Sequence, residues 1–589
     1  MTPVRWRSAV LAVAGTIALT SCGVFGPDSG ETVARQFTEA LAARDVDRAA
    51  ALTDAPARAA DVLRRTFDGL GDGAHGSFTV ESASDALFTY RSTWDFGGGR
   101  EWDYSTSVGL DSVGGNRRVA WSSAVVNERL RGEQALQYTT IADTRAVLDA
   151  NGMALMEPRT VTVVDGDPKV LAADAAARTA VTTLLGRVVP GFTLPEPDPA
   201  AGWVNLVSLR EEDAAPIRAQ LETLRGVRVA DRMQLLTVDR EMTSPVVAGL
   251  RETWESRQRE SAGWSVQAVD PDGSVTGSLA GGDPPSGTAM RTTLDPRIQH
   301  LAQRAVDTEP RASALVALDP GTGQVLAVAQ NAAADKSGPI ALTGLYPPGS
   351  TFKTVTTMAA LRSGDVDADS VVDCPGTADI EGRRIPNENE FDLGRVPLHT
   401  AFAHSCNTTM GRLAVGLPAD ALREQAREFG LGVDYVTPGL TTVTGSVPSA
   451  DTPAERVEAA IGQGQDLATP FGMAVVAAAI AAGRAPVPQL IGGEPATADH
   501  TPDPLDAAHV RDLKAMMAEA VRSGTATSLS DVSGLIGKTG TAEFGDGTHS
   551  HGWFVGIRGN VAFAVLVVSG ESSGPALDIA GHFLRPLDD

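Results

Sequence analysis

From Glu31 onward apolar side chains recur four apart at Val33, Phe37 and Leu41, one stripe of a helix, and Asp45 opens a second helix that runs through Ala51. The pattern then changes to alternating apolar and polar positions around Phe78 to Val80, Leu87 to Phe96, Trp102 to Leu110 and Arg118 to Val126. Gly97-Gly98-Gly99 and Gly114-Gly115-Asn116 break these runs as turns. Two helices followed by an antiparallel meander predict a small α+β domain over residues 31–138. Trp94, Trp102 and Trp121 fall along the meander, and tryptophans so spaced are expected in a core more than around a ligand. Periodicity weakens over residues 139–290, with a Val-rich strand at Thr160 to Val164 and helices at Ala173 to Leu185 and Asp213 to Leu224, as in an irregular linker domain. A Gly/Pro/Ser-rich stretch from Gly281 to Gly287 leads into residues 291–589, where the candidate chemistry lies.

Composition narrows the class. The chain has 589 residues, 42% hydrophobic and 21% charged, which fits folded globular domains and excludes a disordered or polytopic membrane protein. Its net charge of -24 and the absence of any Lys/Arg run exclude nucleic acid as a partner. Three cysteines, Cys22, Cys374 and Cys406, are too few for a disulfide scaffold or a four-cysteine zinc site.

Residues 1–21 combine Arg5 and Arg7 with an apolar run from Ala9 to Leu19, too short to cross about 30 Å of hydrocarbon, so a cleaved export signal is expected. Leu19-Thr20-Ser21-Cys22 resembles a bacterial lipobox, which implies a lipidated Cys22 at the outer face of the cytoplasmic membrane, with residues 22–30 as a flexible tether. An acidic chain must then hold the membrane by its lipid, because electrostatics oppose contact.

Tyr346-Pro347-Pro348-Gly349 closes a non-helical stretch, and Ser350-Thr351-Phe352-Lys353 starts a helix continuing through Val355, Met358 and Leu361. Lys353 follows Ser350 by three residues, on the same helical face, where a neutral amine can take the hydroxyl proton and the positive end of the helix disfavours the ammonium form. Ser-x-x-Lys alone arises by chance. Two further segments give it weight. Ser405-Cys406-Asn407 supplies a proton-relaying hydroxyl and an amide, and Ile536-Gly537-Lys538-Thr539-Gly540-Thr541 reads as a strand of small residues where backbone can approach a substrate and a lysine can meet a carboxylate.

The ordered triplet Ser-x-x-Lys, Ser-x-Asn, Lys-Thr-Gly resembles the penicillin-recognising serine transpeptidases. Ala317 to Ala327 resembles the family's first core hairpin, and Gly462-Gln463-Gly464 with Thr469-Pro470, and Trp553-Phe554-Val555-Gly556, resemble class B penicillin-binding proteins. Arg145 to Gly152 is similar to the opening of their linker domain, departing at Ala146 and Ala150, and the first domain, with Val119-Ala120-Trp121-Ser122, is similar to the nuclear-transport-factor-like extension of the methicillin-resistance type. The resemblance implies an α+β multidomain chain ending in an antiparallel sheet flanked by helices, with no cofactor and no metal. It implies a monofunctional D,D-transpeptidase in which Ser350 attacks the penultimate D-alanine of a peptidoglycan stem peptide and Lys353 is the base. Ser405 would relay the proton, Lys538 act electrostatically, Asn407 position the peptide, and Thr539, Gly540 and Thr541 bind it. The amides of Ser350 and Thr541 would form the oxyanion hole. β-Lactams would acylate Ser350, and a glycan polymerase with divisome or elongation proteins would be partners.

Rival chemistries use the same acyl-serine. A β-lactamase needs a base for deacylating water, and no Glu-x-x-x-Asn segment lies between Asn407 and Lys538; a D,D-carboxypeptidase differs only in whether water or an amine resolves the ester; an inert cell-wall scaffold would carry the motifs unused. His549 and His551 lack a third metal ligand at suitable spacing, His404 is redundant with Lys353 as a base, and Glu543 reads as a charge on the site rim. In an oxidising compartment Cys374 and Cys406 form either a disulfide or two buried thiols.

Overall fold

The computed structural model describes residues 29–141, 145–283, 289–545 and 547–588. Cys22, the export signal and most of the tether lie outside the described residues, as do residues 284–288 of the Gly/Pro/Ser-rich stretch. Among the described residues no helix is long and apolar enough to cross a membrane. The chain divides into two compact units. One takes the chain up to residue 143 together with Gln258–Ser286; the other holds Thr144–Arg257 and Gly287–Asp589.

In the first unit, helices Gly30–Ala42 and Val46–Ala51 lie where the apolar stripe places them, capped by the Ser29 and Asp45 side chains. A third helix, Pro56–Leu70, was not expected. Its Ala59, Val62, Leu63, Thr66, Phe67 and Leu70 recur at helical spacing on the buried face, and Pro at its first turn pre-sets the helical φ. Strands His75–Ala83, Leu87–Asp95, Glu101–Val113 and Asn116–Val119 pair in sequence order as an antiparallel meander. The fourth is shorter than expected, because a 3₁₀ turn at Ser123–Val125 ends the extended run. Trp94 is 2% exposed and packs edge-on against Phe78, while Trp121 is buried in the same cluster and Trp102 packs against it, so the tryptophans serve the core.

The expected boundary between residues 138 and 139 falls inside strand Ala135–Ile141, and residues 258–286, expected in the linker domain, belong to the first unit. Hairpin Gly263–Val269 and Val275–Gly282 explains both corrections: its first strand pairs with all seven residues of Ala135–Ile141, from Gly263 opposite Ile141 to Val269 opposite Ala135. A pairing between segments more than a hundred residues apart leaves no local pattern in sequence.

In the second unit, the Val-rich run forms part of a longer strand, Ala154–Gly166, which pairs antiparallel with Val204–Arg210 and Val227–Thr237. Helix Ala175–Leu185 matches expectation, and the segment expected as one helix from Asp213 is two single turns, Glu211–Ala214 and Arg218–Leu221. The C-terminal portion is built on a five-stranded antiparallel sheet in the order Val325–Gln330, Ser313–Leu318, Val561–Val567, His549–Arg558, Ile536–Phe544. The first three are buried along their whole length, which requires cover on both faces. Helix Pro470–Ala482, apolar all round, packs on one face, and helices Pro296–Val306 and Gly574–Leu584 pack on the other. The lysine strand Ile536–Phe544 is left at the sheet edge.

Candidate active site

Ser350 does not open the α-helix directly. It lies in a 3₁₀ turn, Gly349–Phe352, and the α-helix Lys353–Ser363 begins at the lysine. The turn is held from three sides. Trp553 Nε1 donates to Pro347 O at 2.9 Å, Gly349 N–H donates to Gly462 O at 3.0 Å, and the Thr351 hydroxyl donates to Pro348 O at 2.6 Å. Two glycines make this packing possible. A Cβ on Gly462, whose φ is +70, would sit 2.1 Å from Gly349 O, and one on Gly540 would sit 2.9 Å from Thr351 Cγ2. The Gly-Gln-Gly and Lys-Thr-Gly segments are therefore tied to the Ser350 turn by backbone proximity.

The Ser405 turn follows helix Leu398–Ala403 and precedes helix Asn407–Val415. Ser405 has φ 63, a left-handed conformation that costs a non-glycine residue about 1–2 kcal/mol. That conformation points its hydroxyl at two lysines: Lys353 Nζ donates to Ser405 Oγ at 3.1 Å and Lys538 Nζ at 3.0 Å. Lys353 also donates to Ser405 O at 2.6 Å and Asn407 Oδ1 at 2.5 Å, and Lys538 to Thr539 O at 2.9 Å. Both lysines are 0% exposed. Burial, reinforced by the charge of Lys538, holds the Lys353 amine well below the ordinary lysine range, with Glu388 opposing. Burial brings Lys538 down to about 7, again against Glu388. Both amines are thus displaced toward their neutral forms by the same burial.

Ser350, Ser405, Asn407, Thr539 and Thr541 line one cavity of about 680 Å³, with Glu388, Gln463 and Glu543 on its walls. Among the described residues no hydrogen bond joins Ser350 to Lys353, whose amine is instead turned to Ser405 and Asn407, so the expected nucleophile–base hydrogen bond is not formed. Because Ile536–Phe544 is an edge strand, alternate backbone N–H groups along it have no ladder partner. The Cys374 and Cys406 sulfurs are bonded, with Cα atoms 6.1 Å apart, beneath the Ser405 turn. His549 and His551 both stack on the Phe544 ring, and His549 meets Glu571 at 3.1 Å. Burial lowers His551 to about 4, so it is neutral, and its Nδ1 accepts from Ser569 N–H.

Residues 313–587 match the penicillin binding protein transpeptidase domain. Peptidoglycan D,D-transpeptidase PbpA of Mycobacterium tuberculosis is 31% identical over 344 residues, 49% of this chain and 69% of that protein. The chain belongs to the class B penicillin-binding protein transpeptidases. Peptidoglycan D,D-transpeptidase MrdA of Acinetobacter baumannii is 25% identical over 396 residues, 56% of this chain and 58% of that protein. Two solved structures share the fold: a Helicobacter pylori penicillin-binding protein (PBP2) in complex with MreC, at TM-score 0.56 and 17% identity over 77% of this chain and 98% of that one, and a chain of a peptidoglycan synthase complex, at TM-score 0.57 and 22% identity over 77% and 92%.

Two residues around this penicillin-binding site, Thr525 and Asn387, escape the motif reading, and Gln463 of the Gly-Gln-Gly segment acquires a role there that its motif did not give. The Thr525 hydroxyl bonds Thr539 Oγ1 at 2.6 Å, and Thr525 N–H donates to Ala403 O, so one residue ties the lysine strand to the helix that delivers Ser405. Gln463, with its amide turned to satisfy both partners, brackets the backbone of Glu543. Asn387 hydrogen-bonds the start of helix Asn407–Val415. Thr525 and Asn387 fall outside the three motifs, and no local sequence signal marks them; the structure finds them through their partners.

Proposed function

We infer that this penicillin-binding protein is a monofunctional D,D-transpeptidase acting through an acyl-enzyme on Ser350. The observation that carries the assignment of roles is the Ser405 hydroxyl shared between two fully buried lysines on the wall of the cavity that holds Ser350. Ser350 Oγ attacks the carbonyl carbon of the penultimate D-alanine of a stem peptide, and its proton goes to the neutral Lys353 amine. The tetrahedral oxyanion is met by the backbone amides of Ser350 and Thr541, a pair of donors of which one alone is typically worth about 10²- to 10³-fold in rate. As the C–N bond to the terminal D-alanine breaks, the proton passes from Lys353 through the Ser405 hydroxyl to the leaving amine. Lys538 supplies positive charge to this relay and, with Thr539, Gly540 and Thr541, holds the terminal carboxylate, while Asn407 fixes the peptide. An amine of a second stem peptide then attacks the ester, its proton returning by the same route, and the crosslink forms. A β-lactam ring presents its carbonyl to the same oxygen and leaves Ser350 acylated.

Around this chemistry we place a lipid on Cys22, which the Leu19-to-Cys22 pattern and the acidic balance support, and a nuclear-transport-factor-like role for the first unit, supported by three helices packed with a four-stranded meander. The Helicobacter pylori neighbour was solved with MreC, and the other belongs to an assembly described as coordinating polymerization and crosslinking. These favour partners of the elongation type, a polymerase among them, for this chain as well. The test is crosslinking of purified glycan strands: the wild-type protein releases D-alanine and joins stems, and Ser350→Ala does neither. Release of D-alanine without crosslinks in the presence of acceptor stems would reassign the protein as a carboxypeptidase.

A further inference from the structure

We propose that Asn387 is a positioning residue for the proton-accepting amine of Lys353, acting through Asn407. The inference rests on the reading of Lys353 as the base. Asn387 is 2% exposed although Pro386 and Glu388 on either side of it are exposed. A side-chain amide offers two N–H donors and an oxygen with two lone pairs, and Asn387 uses all of them. Its Oδ1 accepts from Asn407 N–H at 2.8 Å and Thr408 N–H at 3.2 Å, and its Nδ2 donates to Pro375 O and to Phe391 O, both at 2.9 Å. Donors on one side and carbonyls on the other fix which way the amide faces.

The helix it touches needs this help. Asn407–Val415 begins at the second motif, and its cap residue, Cys406, makes no side-chain cap bond; its sulfur is bonded to Cys374 and accepts from the Thr409 hydroxyl at 3.1 Å. The first N–H groups of a helix have no partner within it; here Asn387, twenty residues earlier in the chain, supplies the oxygen from outside. Pro386 completes the hold by accepting from Asn407 Nδ2 at 2.8 Å. Backbone and side chain of Asn407 are thus both anchored to residues 386–387. That leaves Asn407 Oδ1 fixed 2.5 Å from Lys353 Nζ. The other groups facing that amine are the Ser405 hydroxyl and carbonyl, the charge of Lys538 and, from the same loop as Asn387, the carboxylate of Glu388. An acceptor held this close favours the ammonium form of Lys353 over the amine and aims its remaining valence.

The experiment measures acylation by a fluorescent penicillin from pH 5 to 10, beside thermal unfolding, for the wild-type protein, Asn387→Ala and the volume-conserving Asn387→Leu, which keeps the site filled should the alanine variant fail to fold. Loss of the anchor lets Asn407 turn away. The maximal rate falls about ten-fold, the worth of one oriented hydrogen bond to the reacting group, and the acid limb of the profile moves to lower pH because the ammonium has lost an acceptor. A folded variant whose rate falls while the acid limb stays in place shows a structural role only and overturns the proposal, as does a wild-type rate. A wild-type protein that forms no Ser350-dependent adduct would instead overturn the proposed function, and this inference with it.

Discussion

Removing the hydroxyl of Ser405 separates catalysis from stability in a way that the geometry makes quantitative. In Ser405→Ala both buried amines lose an acceptor, at 3.1 Å for Lys353 and 3.0 Å for Lys538, while the residue keeps the left-handed backbone at φ 63. Two buried donors each deprived of one partner cost about 2 kcal/mol together, since each retains other bonds. Ser405→Gly loses the same hydroxyl but relieves the left-handed strain. Offsetting about 1–2 kcal/mol of strain against the extra backbone entropy of glycine leaves it about 0.5–1 kcal/mol more stable than the alanine variant. That gap corresponds to about 2 °C in midpoint. The proton relay is absent from both, so acylation by penicillin falls about 10²- to 10⁴-fold in each. Stopped-flow acylation and thermal unfolding on the two proteins check both halves. If Ser405→Ala acylates at the wild-type rate, or if Ser405→Gly unfolds below Ser405→Ala, the reasoning about this turn fails.

On the proposed mechanism acylation needs the neutral amine of Lys353, which burial and the charge of Lys538 hold well below 10.5; activity is therefore lost on acidification with an acid limb well below 10.5, and a pH–rate profile with its acid limb near 10 would contradict this. Lys538 titrates at about 7 in the fold against 10.5 in the unfolded chain, so between those values the unfolded chain holds the extra proton and this group makes stability rise with pH, a slope that Lys538→Met removes in urea titrations at several pH values. Asp466 does the reverse: buried with Oδ2 unpartnered, it is raised from 3.8 to about 8, so the folded state holds the proton longer and stability drops across that window by about 6 kcal/mol at most. Asp466→Asn is expected to unfold at higher urea than the wild-type protein at pH 8 and to differ little at pH 4. Reducing the Cys374–Cys406 bond, 32 residues apart in sequence, frees a loop whose closure is worth about 3–4 kcal/mol, read as a lower denaturation midpoint and slower acylation with dithiothreitol; an unchanged midpoint after verified reduction would contradict it.

The three motif segments were legible because each is local: Ser350 and Lys353 sit three residues apart, and Lys538 to Thr541 form one strand segment. The structure brings Ser350, Ser405, Asn407, Thr539 and Thr541 to one cavity, while the expected Ser350–Lys353 hydrogen bond is not among its contacts. The 3₁₀ turn at Ser350 was not legible: it depends on Gly349 meeting Gly462 and on Trp553 holding Pro347, contacts more than a hundred residues apart. Nor does anything in Ser-Cys-Asn announce the left-handed Ser405, which two lysines and a disulfide over-determine. Helix Pro56–Leu70 had a readable stripe in Ala59, Val62, Leu63 and Phe67 that its proline and alanines obscured. The return of residues 263–282 to pair with Ala135–Ile141 had no readable signal, because strand pairing at long separation is set by the tertiary fold and not by the period of either strand.

The most direct test of the central claim is the site of acylation itself. Benzylpenicillin is incubated with the wild-type protein, and the adduct is mapped by digestion and mass spectrometry. One drug equivalent is expected on the peptide carrying Ser350, stable over the time of the digest and absent from Ser350→Ala. An adduct on any other residue, or one that survives in Ser350→Ala, would contradict the account.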